Sequence, residues 1–235
     1  REWKLAPERG VIKDFFDKKK IPGEIYDHVW KDFGTNRTMA LESAFGKSDY
    51  IFIFDADDEI EGNIRIPDDL NNYDKYNLRI GDTFAYYRPL LLNNQRKWYF
   101  EGVLHEYLTT NEQHITETTL LGDYFISSCR EGARNRDKNK YLKDAEILKN
   151  AYEEVKNSNV TLANRYIFYC AQSYKDSGNE YSDQAILWYS KLLTTNAWNQ
   201  EMYYTCLMLG NLYEDKFEKL RYYMKSIEYD RERIE

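Results

Sequence analysis

The sequence predicts an α/β domain followed by an all-α region of helical hairpins, and three observations carry that expectation. An uninterrupted apolar run, Tyr50-Ile51-Phe52-Ile53-Phe54, ends abruptly in the carboxylates Asp55, Asp57, Asp58 and Glu59. Helical and β-patterned segments lie on either side of that run, in the order expected of α/β winding. From Lys140 onward every segment is helical in pattern. The domain boundary therefore falls between 137 and 138, with residues 1–137 forming the α/β domain and 138–235 the helical one.

Five apolar residues are too few for a stable helix, and their β-branched and aromatic content favours a strand. An unbroken apolar run fits a strand buried on both faces, as in a parallel sheet covered by helices. Ligands of such sheets bind beyond the carboxyl ends of the strands, where Asp55, Asp57 and Asp58 stand. Carboxylates gathered there repel one another unless a cation joins them, and oxygen ligands suit Mg2+ or Mn2+. The plainer reading of Asp-x-Asp alone is an acidic turn closing a core strand. A calcium-binding EF-hand loop starting at Asp55 fails, because its sixth and twelfth positions are Ile60 and Ile66 rather than Gly and Glu.

The chain has 235 residues and a formal net charge of −7. The acidic balance, with no basic phosphate-binding stripe, argues against nucleic acid or an anionic membrane as partner. No apolar segment reaches the length of a membrane span, and no signal-peptide pattern opens the sequence. Cys129, Cys170 and Cys206 form neither a disulfide framework nor a zinc pattern. Cys170 and Cys206 fall in apolar helical surroundings, so buried thiols and a cytoplasmic, reducing compartment are expected.

Taken in order, Val11, Ile12, Phe15 and Phe16 recur at helical spacing from Pro7 to about Lys20, and Ile21-Pro22-Gly23 breaks the pattern. Glu24 to Trp30 alternates like a short strand. A second helix is expected from about Thr35 to Phe45, with Met39, Leu41, Ala44 and Phe45 toward the core. After the apolar run, residues 63–74 read as polar and turn-rich. Strands are expected over 76–80, 84–92 and 98–108, with a turn at Asn93-Asn94-Gln95 and one more strand over 120–127. Arg130, Arg134, Arg136, Lys138 and Lys140 then read as a basic linker.

Five helices follow, over 141–157, 162–177, 182–195, 200–214 and 217–228. Ile167-x3-Ala171-x2-Tyr174 recurs as Cys206-x3-Gly210-x2-Tyr213, 39 residues later. Tetratricopeptide repeats use similar small-residue and aromatic spacings, at a period of about 34 residues. Close helix contacts are expected at Ala171, Ala185 and Gly210.

The segment from Trp30 to Asp58, with Asn36-Arg37 on a helix before a strand ending in Asp-x-Asp, resembles the family-2 glycosyltransferases. Trp98-Tyr99-Phe100-Glu101-Gly102-Val103-Leu104-His105-Glu106 is similar to their Gly-x-x-His-Glu acceptor-side motif. The helical tail matches a subgroup with tetratricopeptide-like repeats. The resemblance implies a GT-A-like nucleotide-sugar transferase sheet, a donor such as a UDP-sugar, a divalent Mn2+ or Mg2+ ion, and an inverting transfer to a glycan, lipid or protein acceptor.

By the same resemblance Asp55 would face the ribose or the metal, and Asp57 would ligate a metal bridging the diphosphate. His105 would be a further metal ligand or diphosphate donor, or else a satisfied sheet histidine. Glu106 would be the general base, with Glu101 in reserve. Were 98–108 one strand, residues 101 and 105 would share a face and 106 would point away, so His105 and Glu106 could both serve a site only if the strand ended or bulged there. Arg134 and Arg136 would clamp the diphosphate, unless they are solvated linker charges, and Arg37 with Asn36 would contact the nucleotide.

A GT-A domain opens with strand, helix, strand. Those first strands are not evident here, which leads to the expectation of an upstream donor-binding unit, or of an exposed apolar sheet edge where it belongs. Two rival functions remain: a degenerate transferase acting as a protein-binding scaffold, and a metal-dependent phosphatase or nucleotidyl hydrolase. A homodimer through the helical region is a further expectation.

Overall fold

The computed structural model describes residues 7–68, 70–128 and 133–232. It is a mixed α/β structure: one curled, mixed sheet, a small hairpin, and seven α-helices among the described residues. Cys129 and Arg130 lie outside the described residues.

Helix α1 (Pro7–Lys19) forms as the periodicity indicates, and α2 (Phe33–Ala44) begins two residues earlier than expected. The start of α2 is set by Asp32, whose carboxylate accepts the Thr35 N–H at 2.7 Å and so satisfies one of the first turn's free donors. Leu41 is buried beneath it, whereas Phe45, expected near the core, is exposed. The alternation over Glu24–Trp30 does not become a strand. Ile25, Tyr26, Val29 and Trp30 are exposed and no strand among the described residues pairs with them, so the pattern has no hydrogen-bonding partner to act on.

The apolar run yields a three-residue strand, β1 (Tyr50–Phe52), followed by β2 (Asp58–Asn63), β3 (Lys75–Ile80), β4 (Tyr86–Asn93), β5 (Tyr99–Glu101), β6 (Tyr107–Thr109), β7 (Glu117–Thr119) and β8 (Asp123–Ser128). The main sheet has the order β1-β4-β3-β8-β2, with β7 also on β3. This corrects the expectation of a parallel strand buried on both faces. β1 is an edge strand, antiparallel to β4 with Tyr50 opposite Asn93. Parallel pairing is confined to β3 with β7 and β8 among the described residues. The physical reason is exposure: Phe52 and Phe54 remain 40% and 42% accessible, so half of the run never meets a covering layer.

The single strand expected over 98–108 is instead the hairpin β5–β6, with a five-residue crest at 102–106. Two strands have no counterpart in the sequence reading. β2 is rich in charge and has the composition of a turn, and β7 is only three residues long.

The sheet core gathers Tyr76, Leu78, Ile80, Leu90, Leu91, Leu120, Tyr124 and Ile126. Its loops are tied by buried Asp74, which accepts the Thr116 N–H at 3.0 Å and the Arg96 Nε–H at 2.9 Å. The helical region is α3 (Lys140–Val155), α4 (Val160–Ser177), α5 (Ser182–Leu192), α6 (Asn199–Leu212) and α7 (Lys216–Tyr229), all as expected to within three residues at each end, with no strand among the described residues of 140–232. Ala171 and Ala185 are fully buried, as are the thiols of Cys170 and Cys206. Leu104, from the hairpin crest, belongs to this same helical core.

Gly210 makes the α6–α7 contact possible, since a Cβ built there would stand 2.4 Å from the Tyr223 ring. Gly210→Ala is therefore expected to destabilise the fold by about 1–3 kcal/mol. Denaturant titration checks this, and an unchanged midpoint would contradict the packing described.

Candidate functional site

The carboxylates that follow β1 meet the hairpin crest through one side chain. Arg37, in the second turn of α2, donates from Nη2 to Asp55 Oδ2 at 2.8 Å and is ion-paired through Nε to Glu106 Oε1, also at 2.8 Å. Three features dock α2 here. The Asp32 cap sets its start, Gly34 lies so close to the Gly102 carbonyl that a Cβ would approach it to 2.2 Å, and the Thr38 hydroxyl accepts the Phe100 N–H at 2.9 Å. Burial opposes the charge on Arg37, but its bonds to Asp55 and the charges of Asp55 and Glu106 outweigh this and raise its pKa.

The crest turns because His105 takes a left-handed backbone conformation, φ 54°, a strained region for a residue with a side chain. The condition under which His105 and Glu106 can serve one site is thus met, since β5 ends at Glu101 and β6 starts at Tyr107. Helix α4 holds the kink. Arg165 donates from Nε and Nη2 to the His105 carbonyl at 3.0 and 2.8 Å, and the Tyr166 hydroxyl accepts the Val103 N–H at 3.0 Å. The Tyr169 ring stacks on the imidazole with centroids 3.9 Å apart.

Two cavities flank Arg37. A larger one, about 970 Å3, runs along β1 and α2 past Trp30, Asn36, Phe52, Phe54 and Asp55. A smaller one, about 510 Å3, lies between the crest and α4 and contains His105 and Glu106. Phe33 and Arg37 line both.

No family model and no curated protein matches the chain.

The other expected site residues are placed as follows. Asn36 lines the larger cavity while its amide bridges the backbone of Val29 and Lys31, shaping the preceding loop. Arg134 lines the smaller cavity, is ion-paired to buried Asp144 and lies over the Phe33 ring. Arg136 is exposed and lines neither cavity. Glu101 is also outside both, its oxygens accepting from the Tyr107 hydroxyl and from Asn159 Nδ2. Sequence reasoning missed Arg88 and Arg165, which carry no motif; one reads as a strand position and the other as a polar helix position.

Asp55 to Asp58 form a tight turn closed by the Asp58 N–H on the Asp55 carbonyl at 3.1 Å. Burial, and then the charges of Asp55 and Asp57, raise the pKa of Asp58 against its bond to Ser128 and the more distant Arg88. Among the described residues no three His, Cys, Asp or Glu side chains converge into a protein cage for a metal. Of this turn only Asp55, already paired to Arg37, lines the larger cavity, and Asp57 lines neither; two carboxylates plus substrate phosphates are nevertheless a common way to hold Mg2+. Asp57 and Asp55 are the residues that would hold it.

Atoms crowded around its ring, followed by the cations Arg165, Arg134 and Lys140, push His105 from 6.5 down to about 4, although the residue as a whole keeps an exposed face. The unfolded chain therefore binds a proton between those values that the folded chain does not. The stabilisation from the neutral ring is fully present above pH 6.5 and is lost as pH falls through about 4. NMR titration of the His105 ring is expected to show it neutral down to about pH 5; a midpoint near its ordinary value would contradict this environment.

Proposed function

We propose that the protein is a metal-dependent inverting glycosyltransferase that moves a sugar from a nucleotide-sugar, UDP-linked by the resemblance above, to an acceptor hydroxyl. The observation that supports it most is the Arg37 bridge between Asp55 and Glu106. It sets the carboxylates expected to face a donor and the carboxylate expected to face an acceptor on the two sides of one guanidinium. The resemblance named that arginine and those acids from separate stretches of sequence.

In this reading the larger cavity takes the donor and the smaller one receives the acceptor. Asp57 and Asp55 would hold the divalent ion, which would supply charge stabilisation to a departing diphosphate. Arg37 adds a fixed positive charge, already oriented by its two ion pairs. Glu106, 11% exposed at its side chain, accepts the proton from the acceptor hydroxyl as that oxygen attacks the sugar carbon. Neutral His105 keeps the crest turned without adding a further positive charge beside Glu106. Glu101 is committed to Tyr107 and Asn159, which leaves Glu106 as the base.

Asp57→Asn is expected to preserve the fold and abolish Mn2+-dependent UDP binding in calorimetry. Unchanged metal-dependent affinity would remove the assignment. Glu106→Gln is expected to lower turnover by about 10²–10⁴-fold with donor affinity largely kept. Turnover that releases sugar only to water would instead favour the hydrolase reading.

A further inference from the structure

We infer that the smaller cavity is built for an acceptor carrying a phosphate group, specifically a small soluble phosphomonoester. The inference rests on the proposed role of Glu106, because a base must lie beside the hydroxyl it deprotonates. It goes beyond that role in naming the acceptor's chemistry.

The lining is strongly cationic. Arg37, Arg88, Arg134 and Arg165 contribute guanidinium groups and Glu106 is the sole carboxylate among the residues that line it. They come from four different parts of the chain: α2, β4, the turn before α3, and α4. Nothing in the overall charge requires such a concentration, since the chain is acidic at −7.

Three of the four are held in place from behind. Arg37 is fixed by Asp55 and Glu106, Arg134 by Asp144, and Arg165 by the His105 carbonyl with Glu201 at 3.7 Å. Their side chains still keep 23%, 36% and 23% of their surface accessible, so each can present remaining donors to the cavity. Arg88 differs. It acts on Asp58 from a distance, but no carboxylate among the described residues stands within ion-pair range of it. Three pre-oriented guanidiniums and one without a close counter-charge suit a dianion with several acceptor oxygens better than a neutral hydroxyl compound.

The size agrees. A volume of about 510 Å3 holds a small molecule. The donor's diphosphate is assigned to the other side of Arg37, beside the Asp55–Asp58 turn.

Calorimetry on the full chain, comparing glycerol 1-phosphate with glycerol, tests the inference. Saturable binding of the phosphate ester alone is expected, weakened about tenfold or more in Arg88→Gln and partly restored in Arg88→Lys. Arg88→Gln is the chosen variant because it breaks no ion pair on which the fold depends. Equal binding of the two compounds would overturn the proposal. So would competition between glycerol 1-phosphate and UDP, which would make the cavity the donor's own diphosphate site. Binding only to vesicles containing phosphatidic acid, with none to the free ester, would overturn it as well. The two readings fail separately. Ester binding that depends on Arg88 in a protein with no Mn2+-dependent UDP binding would sink the transferase reading and leave the anion cavity standing.

Discussion

One guanidinium holds this arrangement together. Arg37 is three-quarters buried at its side chain and reaches two carboxylates that the chain otherwise keeps apart, one after β1 and one on the crest of the β5–β6 hairpin. Removing either acid would leave a desolvated positive charge with half its compensation, and removing the arginine would leave two carboxylates near each other. The preparations for it are local. Asp32 starts the helix, Gly34 lets it touch the hairpin backbone, and Thr38 locks the register one turn further on.

The helical region is a structural part of this site. Leu104 sits in the helical core, Tyr166 accepts from Val103, and Arg165 with Tyr169 holds His105 in a strained backbone conformation. Strain of this kind costs about 1–3 kcal/mol and persists only where the surroundings over-determine it. Here the surroundings are one face of α4. The tail thereby controls where Glu106 points, which a repeat module attached only by a linker would not do.

Much of the fold was legible because period and turn chemistry coincide. The helices of the tail are marked by apolar spacing and by small residues at their contacts, while the caps at Asn159 and Asp215 emerged only in the structure. The strands were less legible where burial is partial. β2 exposes most of its side chains, so Asp58-Glu59-Ile60-Glu61 carries no inward pattern, and its existence depends on pairing with β8. The parallel-sheet reading of the Tyr50 run failed because apolar composition does not reveal which face is covered. Within the site, Arg37, Asp55 and Glu106 were named from motifs, whereas their direct contact required three-dimensional closure. Arg88 and Arg165 were invisible for a related reason: an arginine on a strand or helix has the same sequence signature whether it faces water or a cavity.

The Arg37–Glu106 pair is the contact on which the site most directly depends, and a double-mutant cycle measures it. Urea unfolding of the wild type, Arg37→Gln, Glu106→Gln and the double variant yields their coupling free energy. An ion pair with both partners largely desolvated is expected to give a coupling of about 0.5–3 kcal/mol. A coupling near zero would mean that the guanidinium does not join the two carboxylate-bearing segments, and the single site described here would dissolve into two unrelated surfaces.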